Sequence, residues 1–212
     1  MHIPDGFLET KVWAAFDVIS AGFVGFSLKI ISKKIDAEKR IPMIGVISAF
    51  TFAAQMLNFP VAGGTSGHFM GSTLAAILLG PFTSTIIMTV VLIVQSLVFQ
   101  DGGILALGAN IFNMGIVGAF VGWFFYKIIT NLFKGKNGVL LGSFIGAWFA
   151  IVIASASCAI QLGISNTVPL KVSLISMVSV HALIGIGEGI ITLLVLLFIM
   201  RTRKDLLDIE KF

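Results

Sequence analysis

Charge is what this sequence has least of. Asp, Glu, Lys and Arg make up 11% of its 212 residues, against roughly a quarter in a soluble globular domain. From Ile41 to Gln100 there is none at all. About 20 uninterrupted apolar residues suffice to cross a bilayer, so a soluble domain is excluded and an integral, multi-pass membrane protein is expected. The net charge of +4 does not point to nucleic acid, because the basic residues sit at the ends of apolar segments, where they report orientation. Cysteine is nearly absent too. Cys158, the only one, lies in an apolar run, and no intrachain disulfide can form. There is no GxxxxGK[ST] phosphate loop and no HExxH pair. Work against a gradient would therefore need ATP hydrolysis by another subunit, and a zinc-peptidase reading has no support. The opening "MHIPDGFL" lacks the basic region, apolar stretch and small-residue cleavage site of a leader. These first residues are expected to be retained.

What is present is a row of apolar segments, at about 12–32, 41–58, 70–84, 85–100, 104–130, 138–162 and 172–200. They predict an all-α bundle of seven transmembrane helices forming a single membrane domain over 1–212. The third segment is short and runs close to Gly80-Pro81, which also suits a re-entrant piece. The positive-inside rule separates the two readings. With seven crossings and the N-terminus outside, only Lys11 and Lys171 of the 14 basic residues face outward. The inner side receives Lys29, Lys33, Lys34, Lys39, Arg40, Lys127, Lys134, Lys136, Arg201, Arg203, Lys204 and Lys211. Without the third crossing this bias largely disappears. The expected topology is N-terminus outside and C-terminus cytoplasmic, and it brings Met1, His2, the loop "NFPVAGGTSGHF" with His68, and "FQDGG" with Asp101 to one face.

A terminal amine followed by histidine is a chelator. The Met1 amine, the His2 amide nitrogen and the His2 imidazole close a five- and a six-membered ring on one ion, holding three nitrogens near one plane. The amide must lose its proton, which strongly polarising late divalent metals bring about. Nickel(II) and copper(II) favour such tetragonal nitrogen sites. The fourth corner is open, and a second imidazole on the same face, such as that of His68, can close it. Pro4 stiffens the chain just beyond the ligands, and the glycines of "AGGTSG" suit a loop whose backbone approaches the ion.

"MHIPDGFL", "FAAQMLNFPVAGGTSGHFMG", "LGPF", "FQDGGILALGANIFNMGIVG" and "HALIGIGEGIIT" together resemble the NikM/CbiM family from end to end. That family comprises the substrate-binding S components of energy-coupling-factor (ECF) transporters for nickel and cobalt. The resemblance implies a seven-helix bundle and a four-nitrogen metal plane. Its ligands here would be the Met1 amine, the His2 amide and imidazole, and the His68 imidazole. It also implies nickel(II) or cobalt(II) as bound substrate, no enzymatic activity of its own, and a prokaryotic cell membrane as its location. The implied partners are a transmembrane coupling (T) subunit and two ABC-type ATPases, with room for a small accessory membrane subunit. Gly45, Ala49 and Ala53, four residues apart on helix two, form a small-residue face. In S components a similar face docks the coupling subunit.

Metal-bound histidines hand their other ring nitrogen to an oxygen acceptor. Gln55, Asn58, Gln95, Gln100, Asp101, Asn110 and Asn113 are candidates near helix ends, with Asp101 ranked first and Gln55, Asn110 and His181 behind it. His181, Glu188 and Thr192 share one face of the last helix. Ionisable groups at that depth are costly, and they read either as a relay below the site or as a hydrogen-bonded strut. Asp17 in helix one reads mainly as a strut. The competing function is a self-sufficient secondary divalent-metal transporter or channel, which would use His181 and Glu188. Such proteins show charged pairs and broken helices near the midplane. A membrane metalloenzyme would need an open coordination position and a nearby acid or base.

Overall fold

The computed structural model describes residues 1–33, 37–203 and 206, the side chains of 37–40 excepted. Lys34, Lys204 and Lys211, assigned above to the inner side, lie outside the described residues, as do the side chains of Lys39 and Arg40. The chain is almost wholly helical: α1 Thr10–Ser32, α2 Ala37–Gln55, α3 Ser72–Leu79, α4 Pro81–Val98, α5 Leu107–Asn110, α6 Gly118–Leu132, α7 Gly135–Ile164 and α8 Leu170–Thr202. A π-helical stretch, Ile111–Val117, joins α5 to α6. A two-residue ribbon pairs β1 Phe59–Pro60 with β2 Ser66–Gly67, antiparallel, in the loop before α3.

Among the described residues, five helical spans are long and apolar enough to cross a membrane: Thr10–Ser32, Pro81–Val98, Leu107–Leu132, Gly135–Ile164 and Leu170–Thr202. Large apolar side chains such as Val18, Leu183 and Phe198 lie exposed on their outer faces, as lipid contact requires. The apolar part of α2, Ile41–Gln55, is shorter. The expectation of seven comparable helices needs correcting at the third. The break falls at Gly80–Pro81 and not between 84 and 85, because Gly80 adopts φ 85° and Pro81 opens α4 without an N–H to extend the preceding helix. That leaves α3 with eight residues, about 12 Å of helix against a hydrocarbon core of about 30 Å.

The loop before α3 supplies the missing height. Met70 and Gly71 reach the middle of α8, where their N–H groups donate to Glu188 Oε2 and Oε1 at 2.7 and 2.8 Å. From there α3 packs with Tyr126 and Leu196 toward the other ends of α6 and α8. The third passage is half loop and half helix. All eight α3 residues are buried, which explains a segment apolar on every side.

α6 packs closely on α7: a Cβ on Gly146 would lie 2.6 Å from the Gly122 carbonyl oxygen, so only glycine permits that approach. The polar residue in α1 acts as a strut, as expected: Asp17 Oδ1 accepts the Gly108 N–H at 2.8 Å and ties α1 to α5.

Gly71 is the hinge of the third passage, at φ 80°, and an added Cβ would meet Thr51 and Phe69 at 3.0 Å. Left-handed backbone costs a residue with a Cβ roughly 1–2 kcal/mol. Gly71→Ala is therefore expected to lower the thermal unfolding midpoint in detergent. Gly25→Ala, exposed on α1 with nothing within 4 Å of its Cβ, should leave the midpoint unchanged or raise it. Equal midpoints for the two variants would contradict this account.

Candidate metal-binding site

The N-terminal residues do not fray. Met1 and Ile3 are fully buried and His2 nearly so, because the segment before α1 threads into one end of the bundle. Ile3 has its backbone donor and acceptor both met, as burial requires. The Ile3 N–H donates to Asn110 Oδ1 at 2.8 Å, and the Ile3 carbonyl accepts from Asn110 Nδ2 at 3.1 Å and from the Gly103 N–H at 2.8 Å. Just outside, the Asp5 carboxylate accepts the N–H groups of Ile104 and Leu105 at 3.1 and 2.8 Å. The Phe7 carbonyl accepts the Thr167 hydroxyl.

Threaded this way, Met1 and His2 meet the loop that carries His68. The Met1 amine nitrogen lies 2.7 Å from His68 Nε2, 2.6 Å from the Ser66 carbonyl oxygen and 2.9 Å from Ser66 Oγ. The His2 N–H donates to the same Ser66 Oγ at 3.0 Å. The His2 and His68 rings stack with centroids 4.5 Å apart and planes 26° from parallel. His68 Nδ1 is 2.7 Å from the Phe69 carbonyl, which can only accept. The proton therefore sits on Nδ1, and the Nε2 lone pair faces the amine. His2 Nε2 is 3.0 Å from Gln95 Oε1. His2 Nδ1 is buried without a hydrogen-bond partner among the described residues, and the Asp101 carboxylate is 3.3 Å away, outside good donor geometry.

Four nitrogens thus converge: the Met1 amine, the His2 amide, His2 Nδ1 and His68 Nε2. Their connectivity is that of a chelate plane, with the amine and the ring nitrogen on either side of the amide and His68 closing the remaining corner. In a square plane with metal–nitrogen bonds of about 2 Å, neighbouring nitrogens stand about 2.8 Å apart. The 2.7 Å between the amine and His68 Nε2 fits such an edge. Among the described residues no group of three or more His, Cys, Asp or Glu side chains gathers.

Burial also prepares the donors. Desolvation pushes the Met1 ammonium from its ordinary 8.0 down to about 5. Desolvation and the neighbouring amine charge push His2 to about 3. At neutral pH both are free bases. Partial burial raises the Asp101 carboxyl, whose other oxygen accepts from Asn58 Nδ2 at 2.8 Å.

The remaining candidates separate clearly. Asp101, ranked first as the acceptor for the outer ring nitrogen, stands instead beside Nδ1; Gln95 occupies the acceptor position. Gln55 lies one step behind, accepting from Gln95 Nε2 at 3.0 Å. Asn110 holds the Ile3 backbone and not a ring. His181 donates from Nδ1 to the Met177 carbonyl one turn back at 2.7 Å, and no hydrogen bond joins it to His2 or His68. Glu188 is a strut under the His68 loop. Ser66 has no place among the sequence candidates, although it touches both the amine and the amide. Its only signal is a hydroxyl two residues before His68 in a glycine loop. Gly45, Ala49 and Ala53 lie exposed along α2.

A lipid-facing helical bundle with a buried cage of nitrogen donors at one end is the build of a membrane protein for metal-ion uptake. The chain belongs to the CbiM family, described as the cobalt uptake substrate-specific transmembrane region, which matches residues 2–206. A protein of Archaeoglobus fulgidus described as a putative fused nickel transport protein NikMN is 42% identical over 210 residues, 98% of this chain and 68% of its own length. The crystal structure of a truncated transition metal transporter superimposes with a TM-score of 0.90 at 35% identity, over 95% of this chain and 99% of that one. The S component of a bacterial ECF transporter shares the fold alone, with a TM-score of 0.51 at 18% identity over 80% and 98% of the two chains. The protein is thus a multi-pass membrane component of nickel or cobalt transport.

An ion that takes the amide nitrogen must displace its proton, whereas the amine, with its pKa near 5, has little to lose at neutral pH. Nickel binding at pH 7 is expected to release about one proton per ion, and close to two as the pH falls below about 5. Affinity should drop roughly tenfold per pH unit between 8 and 6, and more steeply below 5. Calorimetry in buffers of different ionisation enthalpy reads the number directly. No release at pH 7 would contradict amide ligation, and two protons at that pH would contradict a buried neutral amine.

Proposed function

We propose that this protein is the substrate-binding S component of an ECF-type importer and that its cargo is nickel(II). The Met1 amine, His2 amide, His2 Nδ1 and His68 Nε2 hold the ion. The observation that carries the reading is the buried, unpartnered His2 Nδ1 in the company of the three other nitrogens. A buried polar atom without a partner is costly, and an ion at this point would satisfy it. A four-nitrogen plane suits nickel(II) better than cobalt(II), which tolerates tetrahedral or higher coordination.

The chain crosses the membrane seven times, counting the loop-and-helix third passage, with the N-terminus outside and the C-terminus cytoplasmic. The distribution of Lys and Arg supports this orientation. The ion enters from the outer end, where Asp101 and Asn58 lie partly exposed. Asp101 offsets the charge of the loaded site. The Ser66 hydroxyl is the atom that the departing amide proton faces. Uptake is driven by two ABC-type ATPases through a T subunit that docks on the exposed α2 face of Gly45, Ala49 and Ala53. Autonomous secondary transport is disfavoured because the Glu188 carboxylate is engaged by two backbone N–H groups and not free to carry ions.

Paired variants test both halves. In calorimetry with nickel chloride, His2→Ala should abolish binding, because it removes the ring that anchors the chelate. His68→Ala should weaken binding strongly but leave three nitrogens. Ala49→Trp should bind like the native chain yet abolish uptake in cells expressing the whole transporter. Native affinity in His2→Ala refutes the site, and native uptake in Ala49→Trp refutes the docking face. Metal accumulation against a gradient by liposomes holding this chain alone refutes the S-component assignment.

A further inference from the structure

The ion can use His2 only if the Nδ1 lone pair is free, so the ring proton must sit on Nε2. Two acceptors flank the ring and favour opposite tautomers. Gln95 Oε1 lies 3.0 Å from Nε2, and Asp101 Oδ1 lies 3.3 Å from Nδ1. Gln95 could in principle turn its amide and present NH2 to Nε2, which would push the proton onto the coordinating nitrogen. Its neighbours forbid this. Gln95 Nε2 donates to Gln55 Oε1 at 3.0 Å, and Gln55 Nε2 donates to the Met70 carbonyl at 2.6 Å. A carbonyl oxygen only accepts. Counting from Met70, each amide therefore has a single orientation, and the row ends with an acceptor at His2 Nε2.

The row is built into the fold. Gln55 and Gln95 are fully buried, the first at the end of α2 and the second in the last turn of α4. Met70 is fixed in turn by its N–H on Glu188 Oε2. It stands two residues beyond His68, so one anchor on α8 sets the His68 loop and, through two glutamines, the His2 ring.

We infer that Gln95 and Gln55 are positioning residues: they hold His2 as its Nε2–H tautomer and so keep Nδ1 open to the ion. The inference rests on the ligand set proposed above. With the Gln95 acceptor removed, the ring is free to turn toward the Asp101 carboxylate, the remaining acceptor beside it 3.3 Å from Nδ1, and the proton moves to Nδ1 and blocks the site. Losing such an outer partner typically costs 10–100-fold in metal affinity.

Imidazole nitrogen NMR on metal-free, histidine-labelled protein reads the tautomer, with signals assigned from His68→Ala and His181→Ala, and nickel chloride titration reads the affinity. The native protein should show protonated Nε2 and bare Nδ1 on His2. Gln95→Met should shift the proton to Nδ1 and weaken nickel about 10–100-fold. Gln95→Glu, which keeps an acceptor at Nε2 but loses the donor to Gln55 Oε1, should retain the native tautomer and lose clearly less affinity than Gln95→Met. Gln55→Met, which removes no group that touches His2, should release the Gln95 amide and mix the tautomers; it carries the test if Gln95→Met does not fold. An unchanged tautomer in the Met variants, or equal weakening by Gln95→Met and Gln95→Glu, overturns the inference in favour of packing alone. So does a native His2 protonated on Nδ1. Native nickel affinity in His2→Ala would instead refute the ligand set, while the tautomer measurement would still stand or fall by itself.

Discussion

Everything at the working end of this molecule depends on putting a chain terminus inside a helical bundle. A terminal ammonium and three peptide units resist burial unless their polar groups are met. Here the Ser66 carbonyl and hydroxyl and His68 meet the amine, and Asn110 and Gly103 meet Ile3. Desolvation turns the ammonium into a free base. The same burial that secures the segment therefore also leaves its amine with a free lone pair. An amine left in water would have to shed a proton at neutral pH before it could bind.

The rest of the bundle serves this placement. α3 is short because its passage is shared with a loop, and that loop delivers Ser66 and His68 to the N-terminus. The Glu188 carboxylate on α8 holds the turn from loop to helix, and the amides on α2 and α4 carry the same anchor across to His2. Met1, the loops around His68 and Asp101, and the start of α1 all lie at one end. The small-residue face of α2 lies along the outside of the bundle.

Much of this was legible in the residues. Long charge-free runs announced the helices, and His directly after Met1 singled out the N-terminus, which the structure buries beside His68. The positive-inside pattern brought His2, His68 and Asp101 to one face, and the structure puts them in contact. Apolar runs locate helices but not their breaks inside a buried segment, where every side is apolar, so the division at 84/85 missed Gly80–Pro81. Hydrogen-bond partners are also invisible to periodicity. Asp101 ranks above Gln95 in the sequence, yet the position in α4, and an amide whose own NH2 is tied to Gln55, brings Gln95 to Nε2. Ser66 was hidden by its ordinariness, a hydroxyl in a loop of glycines. In the sequence Asp17 reads as a strut and Glu188 as either strut or relay; both hold backbone N–H groups at helix starts, the donors that buried carboxylates need.

The central claim is that nickel is held by four nitrogens of which two belong to the main chain. X-ray absorption at the nickel K edge, on loaded protein whose first residue has been verified by mass spectrometry, tests it most directly. The account predicts a four-coordinate, square-planar spectrum with a nitrogen-only shell that includes imidazole scattering. A six-coordinate spectrum, or any sulfur in the shell, would contradict it.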